Sequence, residues 1–296
     1  MPFEVLLPGI LVLVLAAGYV LLVTRARRRN AQAGWSRWRT AWFLVGCGLL
    51  AAGVLPPLAP WAHSDFRGHM LQHLLIGMYA PLGLVLGAPG TLLLRNLPAQ
   101  RGRRLIGLLQ SRPLHLLANP VTALALSVGP LLLLYSTPLY NAVTANPVLH
   151  WLMHAHFLLA GCLFAYVIAG PDPAPARPGV PVRLVVLGVA IAMHAVISQL
   201  MYGGFGINIH APIDQVQRGA EIMYYGGDIA ELLLAGALVA TWRPNRRVRA
   251  AGAPRFPQTR PGPPTCSAAR SPAAPPPRTS SWISARLPAR GGPRHR

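Results

Sequence analysis

Along the chain, long apolar runs alternate with short polar connections, and the runs exceed what a soluble core helix needs. Crossing roughly 30 Å of hydrocarbon takes about 20 mostly apolar residues in a helix. Residues 5–23 form the first such run and 41–62 the second, with no ionisable group beyond the Cys47 thiol. The third, 69–94, opens on His69 and is otherwise interrupted only by Gln72 and His73. Residues 114–135, which contain Pro120 and Pro130, form a fourth; 148–169, 184–201 and 219–242 complete the set. The pattern predicts an all-α fold, a polytopic membrane helix bundle with seven transmembrane helices. A mean hydropathy of +0.41 with only 11% charged residues agrees with this and excludes a pair of soluble domains.

Charge orients the bundle. The 27 basic residues are all arginine, against 7 acids, for a net charge of +20. That value alone would suggest a nucleic-acid partner. The positions argue otherwise. Arg25, Arg27, Arg28, Arg29, Arg37 and Arg39 lie between the first two runs. Five more follow at 95–112, and Arg177 and Arg183 occupy a third connection, whereas the alternate connections hold only Arg67 and Arg218. By the positive-inside rule the arginine-rich side is cytoplasmic, which puts the N-terminus outside and the C-terminus cytoplasmic. No nucleic acid is expected as a partner. The first run follows Met1-Pro2-Phe3-Glu4 with no basic segment ahead of it, and it reads as an anchor rather than a cleaved signal.

Beyond residue 242 the material changes. The last 54 residues contain 12 arginines, 12 prolines and no acid. Too little apolar surface is available there to offset ordering, so 243–296 is expected to be a disordered Arg/Pro-rich tail attracted to anionic lipid. An anion- or RNA-binding arm, or a shifted reading frame in a GC-rich gene, would also fit that composition. The chain thus divides into 1–40, a first helix with a basic loop; 41–242, a six-helix membrane domain; and 243–296, the tail.

Ionisable side chains within a bilayer cost a few kcal/mol each and usually face a protein interior or a cavity. With the topology above, nearly all of them gather in the outer leaflet or just outside it. His69 and His73, four residues apart, lie about 40° from each other on one helix face. His150 and His154 repeat that arrangement, while His156 points away. His194 shares a stripe with Ser198 and Met201, and Glu221, Asp228 and Glu231 fall within roughly 80° on the last helix. His63, Asp65, His210 and Asp214 belong to outer connections. Packed round a common axis, these stripes predict an outward-opening polar pocket. Met70, Met153, Met193, Met201 and Met223 lie at similar depth. Imidazole binds copper, zinc, iron and nickel, and thioether biases a site toward Cu(I). Singly, each histidine serves equally well as a hydrogen-bonding packing residue, and the methionines as core filler. Their convergence is what points to a metal.

Other chemistries lack their residues. The three cysteines, at 47, 162 and 266, form no CxxC pair, which removes a disulfide framework, a zinc ribbon and a c-type haem site. HExxH, GxSxG and a P-loop are absent from the sequence. Gly46, Gly48 and Gly53 read as close helix packing, and Cys47 and Cys162 as small fillers.

The same residues carry a resemblance. His69-Met70-Leu71-Gln72-His73, continuing to Ala80-Pro81-Leu82, Leu86-Gly87-Ala88-Pro89 and Leu94-Arg95, resembles the CtaG family of cytochrome c oxidase assembly factors. A second block runs from Asn146-Pro147 through His150, His154, His156 and Phe157 to Gly170-Pro171-Asp172-Pro173, and a third comprises Asp214-Gln215, Gly219 to Met223, and Gly226-Gly227. Together they span about 41–242; Tyr224 stands where family members often carry tryptophan. The resemblance implies a non-enzymatic, multi-pass protein of the bacterial plasma membrane that helps load copper into a haem–copper oxidase. It implies His69, His73, His150, His154 and Asp214 as metal residues; His194 is added on geometry. The expected cargo is copper, held transiently as Cu(I). The expected partners are haem–copper oxidase subunits, an extracytoplasmic copper donor and the lipid bilayer.

Two other functions compete. A membrane di-iron oxygenase or hydroxylase also uses HxxxH boxes, but it needs about eight histidines on the cytoplasmic face, including HxxHH, which this chain lacks. A copper or proton transporter needs a polar stripe through to the cytoplasmic side, and the inner halves of the third and fifth helices are nearly all apolar.

Overall fold

The computed structural model describes residues 2–29, 34–174 and 177–241, so the expected tail disorder lies outside the described residues. Every regular element among them is helical: α1 (Pro2–Arg29), α2 (Arg37–Val54), α3 (Leu58–Ser64), α4 (Phe66–Leu74), a π-helical stretch (Leu75–Tyr79), α5 (Ala80–Leu86) and α6 (Pro89–Asn96). These are followed by α7 (Ala99–Leu109), α8 (Arg112–Leu117), α9 (Pro120–Ser136), α10 (Leu139–Ala145), α11 (Pro147–Ala169), α12 (Val180–Gly203) and α13 (Ile213–Thr241). Five helices, Leu6–Arg29, Phe66–Leu86, Pro147–Ala169, Val180–Gly203 and Ile213–Thr241, are long and apolar enough to cross a membrane. The number rises to seven if α2 with α3, bent by 45°, and α9 with α10, bent by 88°, each count as one span.

Besides the break between α2 and α3 and the start of α13 at Ile213 rather than 219, the third and fourth runs depart from the sequence pattern. The third run was expected to reach residue 94, but its helix stops at Leu86. Ala88 takes a left-handed conformation (φ 53°) and Pro89 opens α6, so the chain turns instead of continuing. The fourth was expected from 114, whereas α9 begins at Pro120 and α8 is a separate short helix. Asn119 caps α9 by accepting from Val121 N–H at 2.9 Å. The same Asn-Pro device starts α11, where Asn146 accepts from Val148 and Leu149 N–H.

The helices pack so that α4 lies on α13, α11 on the π-helical stretch, α5 and α9, and α12 on α13 and α9, with α1 against α2 and α6. One crossing needs glycine on both sides. A Cβ on Gly46 would sit 2.5 Å from Leu84 N, and one on Gly83 would sit 2.8 Å from Gly46 Cα. Gly48 has nothing within 4 Å, so of the glycines expected to serve close packing it is the one that faces outward. Leu13, Leu21, Leu159 and Leu232 are each more than half exposed, and they give the bundle an apolar outer surface. Only 17% of the most apolar window of α1 is buried, so most of that helix is available to lipid.

Connections gather at two ends. At one end lie 55–65, 137–146 and 204–212, tied by Asn208 N–H to Tyr135 O (2.8 Å) and Asn141 Nδ2 to Asn208 O (3.0 Å). The other end holds 34–36, 87–119, 170–174 and 177–179. There Asp172 accepts from Gly90 N–H (2.9 Å), Thr91 N–H (2.7 Å) and Thr91 Oγ1–H (2.5 Å), and so caps α6 from another part of the chain. Asp172→Ala leaves those donors without partners and is expected to destabilise the protein by about 1–3 kcal/mol in chemical denaturation, with Asp172→Asn intermediate.

Candidate metal site

Asp65 starts the helix that carries the first two candidate ligands. Its carboxylate accepts from Arg67 N–H at 2.8 Å and pairs with the Arg67 guanidinium. Those bonds, the side-chain one first, hold the Asp65 carboxyl below its ordinary value of 3.8. A carboxyl depressed on folding contributes stability that is fully present above its unfolded value and is lost as pH falls through the folded one. Thermal stability should therefore decline below about pH 4, and Asp65→Asn should flatten that limb of a melting-point profile.

Within α4, Gln72 Nε2–H donates to Gly53 O on α2 at 2.8 Å, fixing the helix's rotation. His69 and His73 then face inward, 1% and 4% exposed. His69 Nε2 lies 3.3 Å from Tyr135 Oη, and its ring stands edge-on to Tyr140 at 5.1 Å. His69 Nδ1 and both ring nitrogens of His73 have no hydrogen-bond partner. Burying a polar nitrogen without a partner costs a few kcal/mol, so three such atoms on one helix face need an explanation.

Across from them, α11 presents His150 and His154 with ring centroids 4.3 Å apart, and the exposed His63 of α3 lies 4.5 Å from His150. His69 lies within electrostatic range of His63, His73, His150 and His154. The structure thus brings together four of the six predicted ligands, with His63 at the mouth. Among the described residues, no three His, Cys, Asp or Glu side chains stand in ligand geometry. As they stand, these imidazoles do not converge on one ion.

The other two predicted ligands sit apart. His194 is buried on α12, its Nδ1 2.9 Å from Glu231 Oε1 of α13, and it lies within electrostatic range of His73. The contact is poorly directed, since neither Glu231 oxygen has hydrogen-bonding geometry to any group; His194 Nδ1 lies 3.3 Å from Ala190 O. Beside the pair is a cavity of about 30 Å³, also lined by Gly77 and Ser127, with room for one or two waters. Asp214 is exposed in the first turn of α13. The predicted acidic stripe divides likewise: Glu221 is exposed, Asp228 half-buried, and Glu231 alone lies in the core. The buried face of α13 is set by Gly219, Met223, Gly227 and Leu234, which leaves Glu221 beyond its edge.

His156 lies 3.1 Å from Leu126 O of α9, away from the cluster. Met70, Met153, Met201 and Met223 are buried in one apolar cluster with Phe66, Tyr135 and Tyr140, whose rings surround that of His69. The two tyrosines were missed in the sequence. Tyr135 read there as the end of an apolar run, and only its terminal position, at the depth of the histidines, could have drawn notice. Glu231 was seen, but its pairing with His194 depends on how α12 and α13 rotate.

The tight register behind His73 comes from a local break. Pro81 has no N–H for the carbonyl of Gly77, and the helix relaxes into the π-helical stretch 75–79. Gly161 of α11 packs against that carbonyl, where a Cβ would fall 2.0 Å from Gly77 O. This contact brings α11 against the π-helical stretch and keeps Phe157 on the ring of His73, 4.5 Å between centroids.

Comparison with known proteins agrees with these motifs. The family model for the cytochrome c oxidase caa3 assembly factor (Caa3_CtaG) matches residues 17–245. The match reaches back into α1, whose Tyr19 hydroxyl donates to Gly87 O at 2.7 Å. Uncharacterized proteins of Mycobacterium bovis and Mycobacterium tuberculosis are each 31% identical over 255 residues, covering 79% of this chain and 38% of their own length. A Mycobacterium leprae protein is 32% identical over 260 residues, covering 81% and 39%. The chain spans about two fifths of the length of these curated relatives. No solved structure matches it. The chain belongs to the Caa3_CtaG family of cytochrome c oxidase caa3 assembly factors.

Proposed function

We propose that this protein is a non-enzymatic assembly factor that binds Cu(I) at the histidine end of the bundle and passes it to a haem–copper oxidase. The observation that carries the reading is the set of unpartnered, buried nitrogens on His69 and His73 facing His150 and His154. Neutral imidazole suits copper, and a set that is not pre-closed suits a carrier that must release its metal. His69 and His73 hold the ion from α4 and His154 from α11, with His150 and His63 at the entrance. His194 and Asp214 take no part in that arrangement.

The histidine end lies outside the cytoplasm and the arginine end within it, in the plasma membrane of a bacterium. A copper donor on the outer side reaches the ion through His63. Transport is the weaker reading. Below Gly77 the polar path ends at His194 and Glu231, and Leu82, Val85, Phe164, Ile168 and Leu187 form an apolar cluster towards the arginine end. A strain lacking the protein, complemented with wild type or with His69→Ala/His73→Ala, tests the role in the cell. Oxidase from the variant strain should contain normal haem but reduced copper. Normal copper loading would overturn the proposal.

A further inference from the structure

At the end of the molecule opposite the histidines lies a cavity of about 1050 Å³ between α2, α5, α6, α13 and the α11–α12 connection. Its volume is at the upper end for small-molecule sites. Three guanidiniums line it: Arg39, Arg95 and Arg177. Arg39 and Arg95 both lie over the ring of Trp35, at 5.2 and 5.3 Å, so one indole holds two like charges close together. Arg177 is braced by donating to Asp172 O at 2.8 Å and Tyr166 O at 3.3 Å, and its buried Nε–H has no partner.

None of the three forms an ion pair. Among the described residues the ion pairs are Arg67–Asp65 and His194–Glu231, both elsewhere. The Asp172 carboxylate is occupied by the α6 amides and Thr91. Residues 30–33, 175–176 and 242–296 contain no Asp or Glu. The Asp172 carboxylate is within electrostatic range of Arg177, but one acid against three guanidiniums leaves a net positive charge on one concave surface, and that focuses a potential attractive to an outside anion. The walls between them are apolar and open sideways. Trp42, Leu232 and Leu233 line the cavity and are 42%, 65% and 49% exposed on the lipid-facing surface. A soluble anion has no use for such a wall, whereas an acyl chain does.

We propose that this cavity is a binding site for an anionic phospholipid, its phosphate held by Arg39, Arg95 and Arg177 and one acyl chain lying along Leu86, Leu232 and Leu233. The site does not depend on which metal, if any, binds at the other end.

The test uses the full chain in nanodiscs of phosphatidylcholine doped with phosphatidylglycerol, with native mass spectrometry reading retained lipid. Wild type should retain phosphatidylglycerol in preference to phosphatidylcholine. Arg39→Gln/Arg95→Gln/Arg177→Gln should weaken that preference on the order of tenfold to a hundredfold. Leu233→Trp, which keeps every charge but fills the apolar wall, should also weaken it, and serves if the triple variant fails to fold. Inorganic phosphate should not compete. Equal retention of the two lipids by wild type, retention unchanged in both variants, or displacement by millimolar phosphate would each overturn the proposal.

Discussion

Replacing His73 by leucine should weaken copper binding severely while leaving the protein as stable as before, or more so. A histidine kept for packing satisfies its nitrogens with hydrogen bonds, and its loss destabilises. Both nitrogens of His73 are buried and unpartnered, so in the metal-free protein they are a cost that leucine removes. The two roles therefore predict opposite signs. Cu(I) affinity, measured by competition with a chromophoric chelator, should fall roughly 100-fold or more, since even residues that only orient a ligand change affinity by 10–100-fold. His69→Ala/His73→Ala should remove binding altogether, and His154→Ala should give an intermediate loss. His156→Ala and His210→Ala should bind like wild type, because His156 turns to Leu126 O and His210 is exposed. A destabilised His73→Leu that still binds copper would assign His73 to packing.

Gly161→Leu should be the most damaging single change outside the histidines. Even its Cβ would fall 2.0 Å from Gly77 O and 2.9 Å from Pro81 Cγ. Neither neighbour can move aside, the first being backbone and the second a ring fixed to it. Overpacking of this kind typically costs 1–3 kcal/mol, and here about 3 or more, because two helices must separate. Separation also carries Phe157 away from His73. The variant should therefore lose copper affinity along with melting temperature, although residue 161 bears no ligand. Gly48→Ala, on the outward face of α2, is the control and should melt at or slightly above wild type, since alanine favours the helix where a Cβ meets nothing.

The membrane-spanning character was legible because it rests on composition over about 20 residues, which local detail hardly alters. The helix breaks were less so. Leu86-Gly87-Ala88-Pro89 contains its own stop signal, yet the apolar content continues to residue 94 and masks it. Four of the proposed ligands were found because HxxxH spacing fixes their common face on any straight helix, as on α4 and α11. His194 and Asp214 depended on how deep and how far round other helices would sit, which spacing within one helix does not determine. His194 instead faces Glu231, and the rotation of α13 that buries Glu231 leaves Glu221 and Asp214 outside. The π-helical stretch and the Gly77–Gly161 contact were invisible, since they arise from a proline's missing donor meeting a glycine 80 positions away.

The central claim is that imidazoles at the histidine end hold Cu(I), and the X-ray absorption spectrum at the copper edge of the loaded, reduced protein tests it most directly. Nitrogen donors with the outer-shell scattering of imidazole should dominate, and that signature should vanish in His69→Ala/His73→Ala. A first shell dominated by sulfur, a wild-type protein that retains no copper, or one that instead carries about two iron atoms per chain would contradict it.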